Sequence, residues 1–320
     1  MGDEPAWIAQ AAYGGEGWQP RGQALRDELG TLWNACGVAT EWEPLKAVLL
    51  HEPGQELAAA AAAPNAAQML APLDLHRAAT QHRAMADAYR AAGVTVSHLH
   101  PDSPARPNQM FMADLFFMTP EGAILARPAS TVRAGEERVT AAWLAGAGIP
   151  ILRTISGDGV FEGADAMWVD AETVLVGKGL RTNDAAVRQL VDVLAPMGVS
   201  VHAVDLPRGA MHLMGMLRIM DRDLAVAWPG RLSPAAVALL REKGFQMAFI
   251  PSEVEAQQGF ALNGVTLGPR RFLMPGGNPQ TQAFYENLGI DCTCVAVDEL
   301  IKAAGAVGCL TGVVQRGGDC

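Results

Sequence analysis

Five residues whose side chains could do chemistry recur along this chain at nearly equal intervals. They are separated by 48, 50, 51 and 46 positions, and each stands at or just before a short apolar run: Asp114, Glu162, His212, Asn263 and Cys309. A cysteine can act as a nucleophile, a histidine can transfer protons, and two carboxylates can hold a cation. If these positions are equivalent in a pseudosymmetric fold, they converge on its axis and form one site.

Each of these residues also has an ordinary structural explanation. A cysteine near a strand start is most often a small core residue. A buried histidine is often satisfied by the backbone, and carboxylates are common in turns. The shared spacing of all five positions, rather than any one of them, favours a functional site.

A repeat of secondary structure accompanies this spacing. A helical pattern runs into a glycine and a short apolar run five times, at intervals of 55, 50, 46 and 45 residues: Gly93, Gly148, Gly198, Gly244 and Gly289. In the third copy, two β-type runs at 166–170 and 174–179 precede a helix that ends at Gly198 and a strand at 199–206. Self-similarity at such a period indicates a fold built from one stacked unit, here ββαβ.

The first copy lacks the opening strand of its hairpin. A strand is predicted at 45–51 with no hairpin partner before it, whereas a β-type run at 307–314 has nothing after it. Pairing these two runs would close a ring and remove both free sheet edges. The sequence therefore predicts a five-bladed, pseudosymmetric α/β propeller as a single domain at 41–320, preceded by an N-terminal arm at 1–40 without repeat character.

Composition restricts the partners and the compartment. The 320 residues carry a formal net charge of −10, which argues against a nucleic-acid partner. The alanine-rich stretch at 57–73 is interrupted by prolines and polar residues, so we expect a mobile segment there and no membrane span. The acidic start is unlike a secretory signal. Five cysteines without a framework spacing indicate a reducing, cytoplasmic setting.

Two further pairs could in principle bind metal. Cys292 and Cys294 share one face of a predicted strand, as do His98 and His100. Neither pair has the usual two-residue gap between zinc ligands, and a buried strand explains the cysteines, so we predict no metal site.

Several motifs resemble the guanidino-group-modifying enzymes over roughly residues 43–314. The resemblance rests on Phe161-Glu162-Gly163-Ala164-Asp165, Met211-His212-Leu213, Gly179-Leu180-Arg181-Thr182-Asn183, Phe111-Met112-Ala113-Asp114 and the loop from Gly305 to Cys309. That superfamily includes arginine deiminase, dimethylarginine dimethylaminohydrolase, arginine dihydrolase and the amidinotransferases, and its pentein fold agrees with the ring predicted above.

The resemblance implies covalent chemistry at a guanidine carbon, without metal or organic cofactor. Cys309 would attack as a thiolate, and His212 would protonate the leaving amine and then activate water. Glu162 would orient His212 and hold guanidinium N–H groups, and Asp114 would accept the remaining N–H donors. The same resemblance implies that Arg127 and Arg181 bind the carboxylate of the substrate. It also implies that Asp165 lies behind the site.

Three positions depart from the pattern of that superfamily. Met214 replaces an aspartate, Gly308 replaces a histidine, and Ala113 replaces an arginine or glutamate. An unsubstituted guanidinium next to Met214 would leave N–H donors unsatisfied, at a cost of roughly 1–3 kcal/mol. Methionine suits an alkyl group instead, which favours an N-substituted guanidine, and Asn263 is a further candidate for substrate binding.

Three functions are consistent with these residues. The first is a cysteine hydrolase of a guanidino amino acid, such as arginine or a substituted arginine. The second is an amidinotransferase, in which an amine replaces water as acceptor. The third is a non-catalytic pentein that binds a ligand. The sequence predicts a small guanidino compound as partner and is compatible with a homo-oligomer.

Overall fold

The computed structural model describes residues 5–101 and 105–317, so Cys320 and the outermost parts of the predicted arm and domain lie outside the described residues. The strands are β1 (Leu45–Leu50), β2 (Thr95–His98), β3 (Phe116–Thr119), β4 (Gly122–Leu125), β5 (Ile151–Thr154), β6 (Ala166–Asp170), β7 (Thr173–Lys178), β8 (Ser200–Asp205), β9 (Leu217–Asp221), β10 (Leu224–Ala227), β11 (Gln246–Phe249), β12 (Val265–Gly268), β13 (Arg271–Pro275), β14 (Asp291–Val295) and β15 (Gly312–Arg316). The α-helices are α1 (Leu57–Ala62), α2 (Leu75–Ala91), α3 (Glu136–Gly146), α4 (Asp184–Leu194), α5 (Pro234–Glu242), α6 (Glu253–Gln257), α7 (Pro279–Asn287) and α8 (Asp298–Ile301).

Within the part of the chain that the structure describes, the strands form five three-stranded sheets, one for each predicted repeat. In the middle three units an antiparallel hairpin is followed by a helix and a third strand that pairs in parallel, as in β6-β7-β8. The fifth sheet, β12-β13-β14, has the same order. This arrangement confirms the ββαβ unit and the five-bladed α/β propeller.

The ring closes where the sequence predicted. β15 pairs antiparallel with β1, with Val48 opposite Val313, and β2 pairs in parallel on the other side of β1. The first sheet is therefore assembled from both ends of the domain. Its closure leaves β1 in the centre of a sheet rather than at an edge.

Helix ends explain why glycine marks the repeat. Gly198 and Gly244 follow their helices with φ of 78° and 89°, in the left-handed region that an L side chain adopts at a cost. Gly198 N donates to Ala195 O and Gly244 N donates to Arg241 O, which turns the chain out of the helix towards the next strand. The glycine therefore sets the point at which each unit returns to its sheet.

Two expected segments differ in the structure. The final strand begins at Gly312 rather than at 307, because Leu310 N bonds to Ala306 O and Thr311 N to Gly308 O, so 306–311 forms turns. The stretch at 57–73 contains α1 and a 3-10 turn at Pro64–Ala67, and it buries Leu57. Alanine favours helix, and Leu57 belongs to the same buried apolar cluster as Val48 of β1. The mobility expected for this segment stays a prediction.

The core lies between neighbouring blades. Trp168 on β6 is fully buried, stacks on Phe117 at a ring-centroid distance of 5.6 Å, and donates from Nε1 to Met118 O at 3.0 Å. The segment before β1 reaches two blades, since Gly37 N donates to Val314 O and Val38 N to Thr119 O. The division into an arm and one domain stays a prediction. No helix in the described ranges is both long and apolar enough to cross a membrane.

Candidate active site

The five recurring residues occupy equivalent turns at the start of their blades. Asp114 ends the 3-10 turn Met112–Asp114, whereas Glu162 and His212 are the residues directly before the turns Gly163–Asp165 and Leu213–Gly215. Asn263 precedes β12 and Cys309 precedes β15. All five are buried, with at most 5% of the residue exposed. The repeat thus brings together side chains that are about 50 residues apart in sequence.

An ion pair between His212 and Glu162 forms the centre of the site. His212 Nε2 lies 2.6 Å from Glu162 Oε2 and 3.7 Å from Asp114 Oδ1. Burial works to raise the pKa of Glu162, but His212 and the cations of Arg133 and Arg181 outweigh it and bring that pKa to about 2. Burial works to lower the pKa of His212, yet the surrounding carboxylates raise it above its ordinary value. Both shifts favour the imidazolium form of His212 and the carboxylate form of Glu162.

Two arginines approach the same carboxylates. Arg133 Nη1 donates to Asp114 Oδ2 at 2.6 Å and lies 3.4 Å from Glu162 Oε2. Arg181 Nη1 donates to Glu162 Oε2 at 3.0 Å. Arg133 also pairs with Glu136 at 2.8 Å, where burial raises the pKa of Glu136 to about 7 despite the arginine. The carboxylates of the site therefore already bind guanidinium groups.

Asp114, Glu162 and His212 also have donor atoms within 4.8 Å of one another. Such a set could in principle hold a cation. In the structure the positive charge between the two carboxylates is the guanidinium of Arg133. The planar, multidentate donor fits this pair of carboxylates well.

Asn263 fixes the nucleophile candidate. Its Nδ2 donates to Cys309 Sγ at 2.9 Å, and its Oδ1 accepts from Cys309 N at 3.0 Å. Burial raises the pKa of the Cys309 thiol, and Asp114 acts in the same direction. The Asn263 hydrogen bond, a backbone hydrogen bond and Arg218 oppose this rise. The residues around Cys309 thus favour the thiol, and an added positive charge would favour the thiolate.

Asp165 lies behind the His212–Glu162 pair. Its carboxylate is fully buried and accepts from Thr182 Oγ1 at 2.6 Å and from Leu213 N at 3.1 Å. Burial raises the pKa of Asp165 to about 6. Thr182 directly follows Arg181 and Leu213 directly follows His212, so one carboxylate links the two loops that carry site residues.

The remaining sequence candidates divide into two groups. Met214 lines the cleft next to His212, and Gly308 packs directly before Cys309. Arg127 is exposed, and its Nη1 donates to Gly159 O at 2.8 Å, so the structure does not bring it to the carboxylates. Sequence reasoning missed Arg133. An equal offset could have found it, since Arg133 follows Asp114 by 19 residues and Arg181 follows Glu162 by 19.

Two cavities meet at Cys309. A cleft of about 160 Å³, open to solvent, includes His212, Met214 and Trp228 in its walls. A smaller cavity of about 20 Å³ is lined by Asp114, Arg133 and Arg181. Cys309, Met211 and Ala304 border both. Cys309 therefore lies between a small cavity lined by charged groups and a larger, mostly apolar cleft.

Strained backbone occurs at the same place. Phe260 and Ala304 have φ of 52° and 72°, and both line the larger cleft. Non-glycine residues in this region carry a cost of about 1–3 kcal/mol each and are concentrated at functional sites.

A profile of the family described as N,N dimethylarginine dimethylhydrolase, eukaryotic, matches residues 59–312. The chain is 30% identical over 241 residues to the N(G),N(G)-dimethylarginine dimethylaminohydrolase of Mycobacterium tuberculosis, covering 75% of this chain and 77% of that one. It is 26% identical over 238 residues to the enzyme of the same name from Pseudomonas aeruginosa, covering 74% and 89%.

Solved structures agree with these matches. A crystal structure of a dimethylarginine dimethylaminohydrolase adduct with 4-chloro-2-hydroxymethylpyridine superposes with a TM-score of 0.71 and 25% identity. The match covers 85% of this chain and 99% of that chain.

Proposed function

The chain belongs to the dimethylarginine dimethylaminohydrolase family, and we propose that it is a cysteine-dependent hydrolase of the guanidino group of a substituted arginine. The observation that carries this proposal is the buried group of Cys309, His212, Glu162 and Asp114 at the junction of the two cavities. It combines a nucleophile, a proton donor and two carboxylates that already bind guanidinium groups.

Substrate binding would begin with an exchange of guanidinium groups. The guanidinium of Arg133 is hydrogen-bonded to the Asp114 carboxylate, so a substrate guanidinium must displace Arg133 to bind there. Because the substrate brings its own positive charge next to Cys309, it lowers the pKa of the thiol and generates the nucleophile. The displaced Arg133, with Arg181, is then a better candidate than Arg127 for binding the substrate carboxylate.

The covalent steps follow from these positions. The Cys309 thiolate attacks the guanidine carbon and forms a C–S bond, giving a tetrahedral adduct. His212, protonated through its pairing with Glu162, gives its proton to the departing nitrogen, and the C–N bond breaks to leave a thiouronium intermediate.

Hydrolysis reverses the proton transfer. Neutral His212 takes a proton from water as the water oxygen attacks the same carbon. Collapse of the second adduct breaks the C–S bond and returns the thiolate, and the products are a urea and an amine. Asn263, which bonds to both N and Sγ of Cys309, would keep the sulfur in line through both steps.

Met214 supports a substituted guanidine as substrate. It lies in the wall of the larger cleft beside His212, where a second carboxylate would be needed to satisfy an unsubstituted nitrogen. An alkyl substituent on that nitrogen would contact the methionine instead.

A cytoplasmic location and a homo-oligomeric state also remain part of the proposal.

The test is product analysis by mass spectrometry with arginine, mono- and dimethylarginine, canavanine and guanidinoacetate. We expect the wild type to release citrulline and an alkylamine from the substituted arginines, and Cys309→Ala to release neither. Transfer of the amidino group to an added amine would identify an amidinotransferase. Failure to turn over any of these compounds, with no substrate-protected alkylation of Cys309, would refute the proposal.

A further inference from the structure

A third arginine repeats the offset of the two that contact the site. Arg133 follows Asp114 by 19 residues, Arg181 follows Glu162 by 19, and Arg231 follows His212 by the same number. The three arginines therefore occupy equivalent positions in successive blades. Arg133 and Arg181 pair with the site carboxylates, whereas Arg231 lines the larger cleft.

Arg231 is held on an aromatic face. Its guanidinium carbon lies 4.9 Å from the ring centroid of Trp228, and both residues belong to the cleft that His212 and Cys309 line. No carboxylate is present among the described residues that line this cleft with Arg231. Stacking fixes a guanidinium plane while leaving its N–H donors available, so this cation is arranged to bind an anion.

The rest of the cleft is mostly apolar, with Gln257 and Asn263 as its uncharged polar side chains. Its apolar walls are formed by Met214, Met216, Trp228, Ala256 and Phe260, and Arg231 and His212 are the basic side chains among its lining residues. A ligand that fills this cleft should therefore combine a short apolar stem with an acidic end.

The positions of the two cavities on either side of Cys309 predict which way the substrate is oriented. If Asp114 holds the guanidinium and Arg133 and Arg181 lie on the amino-acid side, the departing nitrogen points to the opposite side of Cys309. That side is the larger cleft, where His212 can protonate it. A substituent on the departing nitrogen must then extend towards Arg231.

We propose that the preferred substrate is an arginine whose departing nitrogen carries an acidic substituent, and that Arg231 binds the carboxylate of that substituent. The inference rests on the proposed hydrolase function and names its substrate class. For Nω-(2-carboxyethyl)arginine the reaction consumes one water, breaks the bond between the guanidine carbon and the substituted nitrogen, and gives citrulline and β-alanine.

The test compares two substrates of similar size. Nω-(2-carboxyethyl)arginine ends in a carboxylate, and Nω-propylarginine ends in a methyl group. We expect the wild type to favour the acidic substrate by about 30-fold in kcat/KM, within the range of charge-assisted hydrogen bonds. Arg231→Met should abolish this preference by slowing only the acidic substrate, and Arg231→Lys should restore part of it.

Arg181→Met is the matched control at the equivalent position of the preceding blade. It should slow both substrates by similar factors, because both carry the same amino-acid end. If Arg231→Met also slows both equally, Arg231 binds the common part of the substrate and the inference is wrong. It is also wrong if the wild type hydrolyses both substrates without preferring the acidic one.

A measurement of binding affinity tests the role of Arg231 independently of turnover. Calorimetric titration of the Cys309→Ala variant with Nω-(2-carboxyethyl)arginine should show about 30-fold weaker binding when Arg231→Met is added. Unchanged binding would overturn the inference. If the wild type hydrolyses dimethylarginine but neither of these two substrates, the inference is wrong and the proposed function stands. If it hydrolyses none of these compounds, the proposed function itself fails, whatever the binding result.

Discussion

The guanidinium of Arg218 lies buried behind the candidate nucleophile. Its Nε donates to Leu262 O at 2.7 Å, and Nη2 has no hydrogen-bond partner among the described residues. A Cβ at position 308 would lie 2.6 Å from that Nη2. Glycine at 308, where related enzymes were expected to carry histidine, therefore leaves room for a buried cation next to Cys309.

We expect Arg218→Met to raise the pKa of the Cys309 thiol. Burial and Asp114 already raise this pKa, and Arg218 is the cation that opposes them, so its removal disfavours the thiolate further. The smaller thiolate fraction should slow iodoacetamide alkylation near pH 7, by roughly ten-fold. The measurement is the alkylation rate as a function of pH, without substrate.

Stability provides the control for this prediction. Burial lowers the pKa of Arg218, although Glu41 raises it, which shows that the cation is costly to bury. Arg218→Met should therefore leave the free energy of unfolding unchanged or higher, since apolar replacements of buried charges are often neutral or stabilising. Slow alkylation in a destabilised variant would point to a structural role, whereas Arg218→Lys should retain the fast reaction.

Single residues differ in how far the sequence could specify them. Asp114, Glu162 and His212 follow the repeat spacing and meet in the structure. Arg133 was not predicted, because the resemblance pointed to Arg127, which follows the second hairpin strand of the same blade. Arg133, which contacts Asp114, lies in the loop before α3. In the sequence, only its 19-residue offset from Asp114 identifies it. The spacing alone could not predict that Arg133 also pairs with Glu136.

At the scale of the element, the turns before the first hairpin strands do most of the positioning. The turn Gly163–Asp165 lies so close to the preceding blade that a Cβ on Gly163 would meet Phe116 O at 2.3 Å and Ala113 O at 2.5 Å. Both contacts are backbone atoms that cannot rotate away. The glycine after Glu162 is therefore required by blade packing.

We expect Gly163→Ala to destabilise the fold by more than about 2 kcal/mol, because the blades must separate to admit the methyl group. Gly215→Ala is the matched control. Gly215 belongs to the equivalent turn of the next blade, and nothing lies within 4 Å of a Cβ there. Urea denaturation of both variants measures the difference, and equal midpoints would contradict the packing argument.

Helix α2 carries a buried histidine with a clear effect of pH. His82 is fully buried, and neither ring nitrogen has a hydrogen-bond partner within residues 5–101 and 105–317. Burial lowers its pKa to about 3. The neighbouring His98, His51 and Arg83 act in the same direction. Because the unfolded pKa is about 6.5, folding excludes a proton that the unfolded chain binds below that pH.

The contribution of His82 is therefore complete above pH 6.5 and is lost as the pH falls towards 3, by up to about 1.4 kcal/mol per unit. We expect His82→Leu to flatten the decline in unfolding free energy between pH 7 and pH 5. His76→Gln, at an exposed position of the same helix, should follow the wild type. Identical slopes for His82→Leu and the wild type would contradict this account.

Hydrophobic periodicity predicted most elements correctly but failed in the loop at 306–311, which carries Cys309. The apolar run at 307–314 reads as one strand, whereas the structure divides it into turns and β15. Thr311 Oγ1 contacts both Val307 O and Tyr89 Oη, and Ala113 N bonds to Cys309 O. These tertiary contacts bury apolar residues in a turn, which a local pattern cannot distinguish from a strand.

At the scale of the whole molecule, closure of the ring was the most informative prediction from sequence. It depended on one incomplete unit at each end, and β15 supplies the missing strand next to β1. The closure also has a chemical consequence. Cys309 reaches the axis only because the chain returns to the first blade directly after it, and its carbonyl accepts from Ala113 N at the start of the second blade.

Removal of β15 should therefore open the ring and the site together. A variant that ends at Thr311 exposes the backbone of β1 as a free edge and loses the buried contacts of Val314 and Arg316. We expect it to aggregate and to lose cooperative unfolding, whereas a control that ends at Gly317 keeps β15 and should behave as the full chain. Size-exclusion chromatography and urea denaturation measure both properties. If the shorter variant remains monomeric and unfolds at the same urea concentration, the seam between β1 and β15 does not stabilise the propeller, and Cys309 must be held in place by Asn263 and the other blades alone.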